Sequence, residues 1–327
     1  MTHAIRFTKT GGPEVLQWED VTVPPPGAGE CQVRHKAVGL NYIDTYHRTG
    51  LYALPLPSGI GLEAAGVVEA CGPGVTEFKA GDRVAYANGP IGAYSELKNH
   101  PVDRLVKIPD GISFEQAASM MLQGLTVQYL LRRLHLTPKS GDTVLWHAAA
   151  GGIGLIACQW ARALGVNLIG TVSSEEKAKL ARENGAAHTI IYTKEDFQAR
   201  VMEITGGKKV PIVYDAVGKD TFMKSLDCLQ ARGLLALFGN SSGPVDSLNT
   251  GLLSAKGSLY VTRPTLMGYV AKRDELVAAA NELFELVKSG KIKVGPRQQY
   301  ALKDAARAHS DLESRKTTGS SIFEVRT

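Results

Sequence analysis

The stretch GDTVLWHAAAGGIGLIACQWARALG, residues 141–165, decides the fold. Its apolar run TVLWH leads into a turn of small residues, and the turn opens a segment with apolar residues at helical spacing. A strand, a small-residue turn and a helix in this order are typical of the first βα unit of a dinucleotide-binding sheet. Aligned with the pattern G-x-G-x-x-G, the turn runs from Ala149 to Gly154, with alanine in place of the first glycine.

The two retained glycines of the pattern have different physical roles. Gly151 lets the backbone approach a pyrophosphate, and Gly154 lets the helix pack closely against the strand. We expect the pyrophosphate at the helix N-terminus, because unpaired N–H groups and the helix dipole favour an anion there. The predicted phosphate-binding residues are Ala149, Gly151, Gly152, Ile153 and Gly154. The alternative is a glycine-rich helix start of the kind that any wound sheet can contain.

The end of the next strand, NLIGTV, indicates which dinucleotide binds. A carboxylate at this strand tip would accept hydrogen bonds from the hydroxyls of a ribose without a 2′-phosphate. No carboxylate stands at the tip here, and the next residues are Ser173 and Ser174. Two hydroxyls, with Lys177 one turn into the following helix, suit a 2′-phosphate, so the sequence favours NADPH over NADH. Two alternatives remain: Ser173 caps the helix while Lys177 faces solvent, or Glu175 or Glu176 reaches the ribose.

The rest of the chain predicts an α/β fold with two domains. After residue 141, six apolar strand candidates alternate with helical stretches, which is the pattern of a doubly wound parallel sheet. Before residue 113 the chain consists of short strands broken by Gly and Pro turns. A capping-box pattern from Ser113 to Gln116 begins a helical linker between the two parts. The long helix and last strand after Arg263 are expected to return to the first domain.

Composition narrows the class of protein. With 327 residues, 44% hydrophobic and 21% charged, the chain is long enough for two folded domains, and disorder, collagen and coiled coil are excluded. No window of ~20 uncharged apolar residues and no apolar signal-peptide core are present, so we expect no membrane span and a cytoplasmic location. The four cysteines form no C-x-x-C pair, which disfavours a disulfide framework or a zinc lobe. The net charge of +5 hints weakly at anionic ligands.

A family resemblance covers nearly the whole chain. Its motifs, in order, are GGPEVL at 11–16, GLNYIDTYHRTGLY at 39–52, GLEAAGVVEACGPGVTEFKAGDRV at 61–84 and HAAAGGIGLIACQWA at 147–161. The chain resembles the medium-chain dehydrogenase/reductase superfamily, and within it the zinc-free quinone oxidoreductases related to zeta-crystallin. The resemblance implies a mostly β, GroES-like catalytic domain at 1–124 and 267–327, and a Rossmann NADP(H)-binding domain at 125–266.

The resemblance also bears on metal chemistry. Zinc-using members of the superfamily have a Cys in the first loop and a Gly-His-Glu further on, and here the two ligand positions hold Asn41 and Leu62. An amide and a leucine do not replace a thiolate and an imidazole, so no metal is expected, and no flavin motif is found. Glu63 follows Leu62. In the superfamily a glutamate there lies near the cofactor end of the site; the alternative is a structural role in the turn.

Without metal or flavin, the expected reaction is hydride transfer from NADPH to a quinone. The quinone oxygen becomes negative and needs donors or a cation, and the flat ring needs an apolar or aromatic wall. The candidate catalytic residues are Asn41, Asp44, Tyr46, Tyr52 and Arg263. The resemblance puts the first three beside the nicotinamide and Tyr52 at the mouth. Alternatively, Tyr42 or Tyr46 only packs in the β-domain and Asp44 caps a short helix. Arg263 could instead pair with a carboxylate at a subunit contact.

Further contacts are implied by the resemblance alone. The residues expected to line the cofactor groove are Thr126, Tyr192, Val217, Phe238, Gly239, Asn240 and Ser241. Relatives pair through the edge strand that corresponds to GSLYVTR, residues 257–263, so a homodimer is expected.

The sequence thus predicts a cytoplasmic, NADPH-dependent quinone reductase that uses neither zinc nor flavin. Two alternatives stay open. An enone or 2-alkenal reductase needs the same hydride geometry and the same oxyanion donors. From another class, relatives of zeta-crystallin have become structural or RNA-binding proteins, although no basic tract with interleaved aromatics supports a nucleic-acid partner here.

Overall fold

A computed structural model describes residues 2–325 of the chain. Met1 and residues 326–327, which belong to the predicted catalytic domain, lie outside the described residues. The first elements are β1 Thr2–Phe7, β2 Gln17–Val21, β3 Glu30–Leu40, α1 Tyr42–Thr49, β4 Ser58–Gly59, β5 Ala64–Cys71, β6 Arg83–Tyr86, β7 Leu97–Pro101 and β8 Val106–Lys107.

The middle of the chain alternates helices and strands. Its elements are α2 Phe114–Ala118, α3 Met121–Arg132, β9 Thr143–Trp146, α4 Gly152–Ala163, β10 Asn167–Val172, α5 Glu175–Glu183, β11 His188–Ile191, α6 Phe197–Ile204, β12 Val210–Asp215, α7 Phe222–Asp227, β13 Leu229–Leu237, α8 Gly251–Ala255, β14 Tyr260–Thr262 and α9 Leu266–Tyr269. The last elements are α10 Arg273–Lys288, β15 Pro296–Ala301, α11 Ala305–Glu313 and β16 Ser320–Glu324.

The chain divides into two compact units. The β-rich unit comprises residues 2–125, 270–288 and 294–325 of the described chain, and the parallel-sheet unit comprises residues 126–269 and 289–293. Each unit has its own apolar core. Phe7, Val33 and Phe323 are fully buried in the first core, and Leu145 and Ile169 in the second.

In the β-rich unit, β3 is the central strand. It pairs antiparallel with β5, β7 and β16, within a sheet ordered β15-β16-β3-β5-β6-β8, while β1, β2 and β4 form a separate three-stranded sheet. Along β3 every second side chain is buried up to Ala37, as expected when one sheet face covers the core. The last residues of β3, Val38 to Leu40, are all buried, so the strand ends inside the unit and delivers Asn41 to a buried position.

In the parallel-sheet unit, six parallel strands follow the order β11-β10-β9-β12-β13-β14. This is the doubly wound order of dinucleotide-binding sheets, so the predicted Rossmann fold is confirmed. Strand order reverses between β9 and β12, and ligands of such sheets bind outside the carboxyl ends of the strands at that point. The inner strands β9, β10 and β12 are almost entirely buried, as expected where helices cover both faces of a parallel sheet.

The predicted linker helix is interrupted. Its predicted capping box forms, since Ser113 Oγ accepts from Gln116 N at 3.1 Å and Gln116 Oε1 accepts from Ser113 N at 3.0 Å. The helix then stops at Ala118 and resumes at Met121. The Ser119 hydroxyl donates to the Glu115 carbonyl oxygen at 2.6 Å, and a side chain that bonds back to position i−4 bends a helix.

Candidate active site

The small-residue turn after β9 has the geometry that a phosphate site needs. Gly151 is the N-cap of α4, with φ −77° and ψ 174°, an extended backbone that any residue adopts. A Cβ added there would meet, among the described residues, only the Ala148 carbonyl oxygen, at 3.4 Å. A Cβ added at Gly154 would lie 2.4 Å from the same oxygen and 2.6 Å from backbone atoms of Ala149. Gly154 is therefore required for packing, whereas Gly151 leaves an open backbone surface at the helix N-terminus.

A buried chain of hydrogen bonds lies under this turn. Asp215, at the end of β12, accepts from the Ser225 hydroxyl at 3.1 Å. Because Ser225 donates its proton to a carboxylate, its oxygen accepts from His147 Nε2–H at 3.0 Å. His147 Nδ1 then accepts from the Thr171 hydroxyl at 3.0 Å. Burial lowers the pKa of His147, so the imidazole is neutral in this tautomer. The chain joins β9, β10, β12 and α7.

Two further loops meet at the same edge of the sheet. Asp215 Oδ1 accepts from the backbone N–H groups of Val217 at 2.8 Å and Gly218 at 3.1 Å, which shapes the turn after β12. The backbone N–H of Ser241 donates to the Ala216 carbonyl oxygen at 3.3 Å. A Cβ at Gly239 would lie 2.3 Å from that oxygen, so the loops after β12 and β13 touch through glycine. The structure thus brings Val217, Gly239 and Ser241 together, with Phe238 and Asn240 in the same loop.

Ser173 and Ser174, which follow β10, have different roles in the structure. Ser174 is the N-cap of α5, and its hydroxyl oxygen accepts from the backbone N–H of Lys177 at 3.3 Å. The alternative in which Ser173 caps the helix is therefore wrong. Ser173 instead uses its carbonyl oxygen to accept from the Thr193 hydroxyl at 3.0 Å. The side chain of Tyr192, directly after β11, is 41% exposed. Thr126, at 5% exposure, lies within α3 and not at a strand end.

In the β-rich unit, Asn41 and Asp44 form the junction between β3 and α1. Asn41 is the N-cap of α1. Asp44 Oδ2 accepts from the Asn41 backbone N–H at 2.9 Å and from the Tyr94 hydroxyl at 2.8 Å. Asp44 is fully buried, and burial raises its pKa to about 7. The predicted alternative, a capping role for Asp44, matches this reciprocal arrangement at the start of α1.

The side chain of Asn41 is held on both sides. Its Nδ2 donates to Glu63 Oε2 at 2.6 Å, and its Oδ1 accepts from Gln123 Nε2 at 3.2 Å. Glu63 Oε1 accepts from the backbone N–H of Leu122 at 2.8 Å. Burial raises the pKa of Glu63 to about 8, and the negative charge of Asp44 adds to the shift. Gln123 was not a sequence candidate, because its place in the apolar run MMLQGLTVQYLL marks it only as a helical residue.

Three tyrosines form an edge-to-face cluster around α1. The ring centroids of Tyr42 and Tyr46 are 5.6 Å apart, and those of Tyr46 and Tyr52 are 5.2 Å apart. Tyr46 is 8% exposed and Tyr52 is half-buried, so Tyr52 presents the larger open surface. Arg263 belongs to the other unit. It follows β14, is exposed, and donates from Nη1 to the Leu237 carbonyl oxygen at 3.1 Å.

Among residues 2–325, no three or more His, Cys, Asp or Glu side chains form a group suited to a metal ion. No helix in the described chain combines the length and the apolar character that crossing a membrane requires.

Comparisons with known proteins place this geometry in a family. Residues 27–110 match the alcohol dehydrogenase GroES-like domain, and residues 152–285 match the zinc-binding dehydrogenase family. A quinone oxidoreductase of Pseudomonas aeruginosa is 58% identical over 324 residues, which cover 99% of both chains. The crystal structure of Escherichia coli quinone oxidoreductase complexed with NADPH is 56% identical, with a TM-score of 0.97, and the match covers 99% of this chain and 100% of that one. A 2-haloacrylate reductase of a Burkholderia species is 46% identical over 331 residues, 99% of both chains.

A GroES-like unit joined to a doubly wound dinucleotide-binding unit defines a medium-chain dehydrogenase/reductase. Within that superfamily the chain belongs to the quinone oxidoreductases, as its sequence motifs predicted.

Proposed function

We propose that this protein is an NADPH-dependent quinone reductase that uses neither zinc nor flavin. The main support for the proposal is the set of side-chain contacts at the junction between β3 and α1. There Asn41 takes the place of a zinc ligand of the metal-using relatives, its amide is held by Glu63 and Gln123, and a tyrosine cluster adjoins it. An amide held between a carboxyl group and a second amide suits recognition of an oxygen, not ligation of a soft metal.

The parallel-sheet unit supplies residues that fit NADPH. The open backbone at Gly151 and the N–H groups of Gly152 and Ile153 at the start of α4 suit a pyrophosphate. Ser173, Ser174 and Lys177 follow the tip of β10, where they suit a 2′-phosphate better than a bare ribose. The remaining residues proposed to contact the cofactor are Thr126, Ala149, Gly154, Tyr192, Val217, Phe238, Gly239, Asn240 and Ser241. NADPH, when bound, supplies a hydride from its nicotinamide ring.

The proposed catalytic residues bind and orient the acceptor. Tyr46 and Tyr52 offer aromatic surface for a flat ring, and Asn41 offers an amide N–H to an oxygen that becomes negative. Asp44 accepts a hydrogen bond from the Asn41 backbone N–H, which holds the first turn of α1 in place. Arg263, exposed after β14, is the proposed cationic contact for the acceptor.

A second candidate reaction is reduction of a C=C bond conjugated to a carbonyl or carboxylate. The 46% identity with a 2-haloacrylate reductase favours it, because such an acceptor also develops negative charge on oxygen. The higher identity with quinone oxidoreductases puts quinones first.

The deciding experiment measures NADPH oxidation, in the presence of a metal chelator, with phenanthrenequinone or benzoquinone as acceptor. We expect saturable, quinone-dependent turnover that prefers NADPH over NADH. A parallel assay contains 2-chloroacrylate and an enone. Turnover with these but not with quinones would replace the first candidate by the second, and NADPH binding without turnover on any acceptor would refute both.

We further propose a cytoplasmic homodimer. The four cysteines are free thiols, of which Cys31 and Cys71 are hydrogen-bonded to each other, and free thiols are expected in a reducing compartment. β14 lies at the edge of the six-stranded sheet and exposes half of Tyr260, and such an edge is suited to pairing with a second copy. Light scattering coupled to size-exclusion chromatography tests this, with Val261→Pro as the variant expected to shift the mass from dimer to monomer. A monomeric wild-type protein would refute it.

A further inference from the structure

In the β-rich unit Asn41 belongs to a line of buried side chains that are joined by hydrogen bonds. Glu63 bonds Asn41, Asn41 bonds Gln123, and Gln123 Oε1 lies 2.6 Å from the Ser320 hydroxyl oxygen. The same hydroxyl oxygen lies 2.9 Å from the Ser119 carbonyl oxygen. All four side chains are buried, so their hydrogen bonds are made with one another and not with bulk solvent.

Ser320 has one proton and two acceptors within reach. If it donates to Gln123 Oε1, the Gln123 NH2 donates to Asn41 Oδ1 and the Asn41 NH2 donates to Glu63. Glu63 then only accepts, which is the arrangement for an ionised carboxylate. If it donates to the Ser119 carbonyl, Gln123 must turn its NH2 towards Ser320. Gln123 then offers its oxygen to the Asn41 NH2, and the Asn41 oxygen faces Glu63. That second arrangement satisfies every contact when Glu63 carries a proton.

The two arrangements use the same heavy-atom positions, because the oxygen and nitrogen of an amide are nearly equal in size. A proton on Glu63 is thus coupled to the direction of both amides. The carboxyl of Glu63 packs directly against the backbone of Gly39 in β3, where an added Cβ would lie 2.1 Å from Glu63 Oε2.

Asn41 contacts the acceptor in the proposed function, on which this inference rests. We propose that Glu63, Gln123 and Ser320 are positioning residues: protonation of Glu63 sets the direction of the Asn41 amide and thereby decides whether its N–H or its C=O faces the acceptor oxygen. The protonated arrangement is the active one, because an ionised Glu63 next to Asn41 would oppose the negative charge that develops on the acceptor oxygen.

The charges around Glu63 support protonation at neutral pH. Its pKa is raised to about 8 by burial, while the N–H groups of Asn41, Leu122 and Met121 lower it in part. Asp44 on α1 is the acidic neighbour and raises it further, and Tyr94 is hydrogen-bonded to Asp44. Neutralising Asp44 is therefore expected to shift the titration of Glu63 to lower pH.

The test compares pH profiles of kcat/KM for the quinone. In the wild type we expect a fall of about tenfold per pH unit above a transition near the pKa of Glu63. Glu63→Gln mimics the protonated acid, because its amide accepts from Leu122 and donates to Asn41. It should keep at least half of the neutral-pH activity and lose the alkaline fall. In an Asn41→Ala background, Glu63→Gln should no longer change the profile, since its effect passes through Asn41.

A second measurement does not depend on turnover. Infrared difference spectra recorded across the transition should show the carbonyl band of a buried protonated carboxyl that disappears at alkaline pH and is absent in Glu63→Gln. If the wild type has no quinone activity but shows this band together with amide side-chain bands that change across the same transition, the proposed function fails and the coupling of Glu63 to the amides stands. An alkaline fall that persists in Glu63→Gln, or an ionised Glu63 at neutral pH, overturns the inference.

Discussion

Gly151 and Gly154 lie three residues apart in one turn, yet alanine at each should have opposite consequences. At Gly154 the new Cβ would lie 2.4 to 2.6 Å from three backbone atoms of Ala148 and Ala149, so the helix or the turn must move. Overpacking of this kind costs about 1 to 3 kcal/mol of folding free energy. At Gly151 the new Cβ has room and the backbone is extended, so the free energy of unfolding should change by no more than about 0.5 kcal/mol.

For NADPH binding the expected order is reversed. A methyl group at Gly151 occupies the open backbone surface where we expect the pyrophosphate, and the Kd for NADPH should rise at least tenfold, or about 1.4 kcal/mol. Urea denaturation followed by circular dichroism gives the stability of both variants, and isothermal titration calorimetry gives the Kd. If Gly151→Ala binds NADPH as tightly as the wild type, the phosphate assignment is wrong. If Gly154→Ala is as stable as the wild type, the packing argument is wrong.

Three further predictions follow from the buried polar groups. Asn41→Ala should lower kcat/KM for the quinone about 100-fold while leaving the Kd for NADPH within about threefold, and equal losses in both would assign Asn41 to the cofactor. Ser225→Ala leaves His147 Nε2–H without its acceptor and should cost about 1 to 3 kcal/mol in urea denaturation; an unchanged midpoint would contradict the assigned tautomer. Burial raises the pKa of Asp44 to about 7 and that of Glu63 to about 8, so the folded state holds these two protons more tightly than the unfolded state does. Their contribution to the free energy of unfolding is therefore complete below about pH 4 and is lost as pH rises through the two raised pKa values. The urea midpoint should therefore fall from pH 5 to pH 9, less steeply in Glu63→Gln, and a midpoint that rises would refute the shifts.

The parallel sheet was predictable because its signals are local. Most of its strands are visible as short apolar runs followed by a turn, and the dinucleotide motif specifies strand, turn and helix within 25 residues, 141–165. The same holds for the loop with Asn41 and Asp44, since α1 begins where a capping residue follows an apolar strand. The break at Ser119 was not predicted, because the helical apolar spacing continues through it and only the side-chain bond to Glu115 reveals it.

The residues that bind the Asn41 side chain could not be predicted from the sequence, for a different reason. Gln123 and Ser320 are separated by 197 residues, and neither stands in a pattern that marks chemistry. Glu63 was visible as a residue of the GLEAAG run, but its role depends on burial and on an amide that approaches from another element. Such contacts arise from the pairing of β3 with β5 and β16, which sequence periodicity does not specify.

In both units a buried acid determines the direction of hydrogen bonds near a proposed ligand. Asp215 accepts only, so Ser225 must donate to it, and the tautomer of His147 under the dinucleotide turn follows from that one constraint. Glu63 differs because its pKa is raised into the physiological range, so it either accepts or donates. The same kind of network is therefore fixed in the parallel-sheet unit and switchable in the β-rich unit. Exchanging Glu63 for Gln removes the switch without removing the hydrogen bonds, which is why that variant separates positioning from packing.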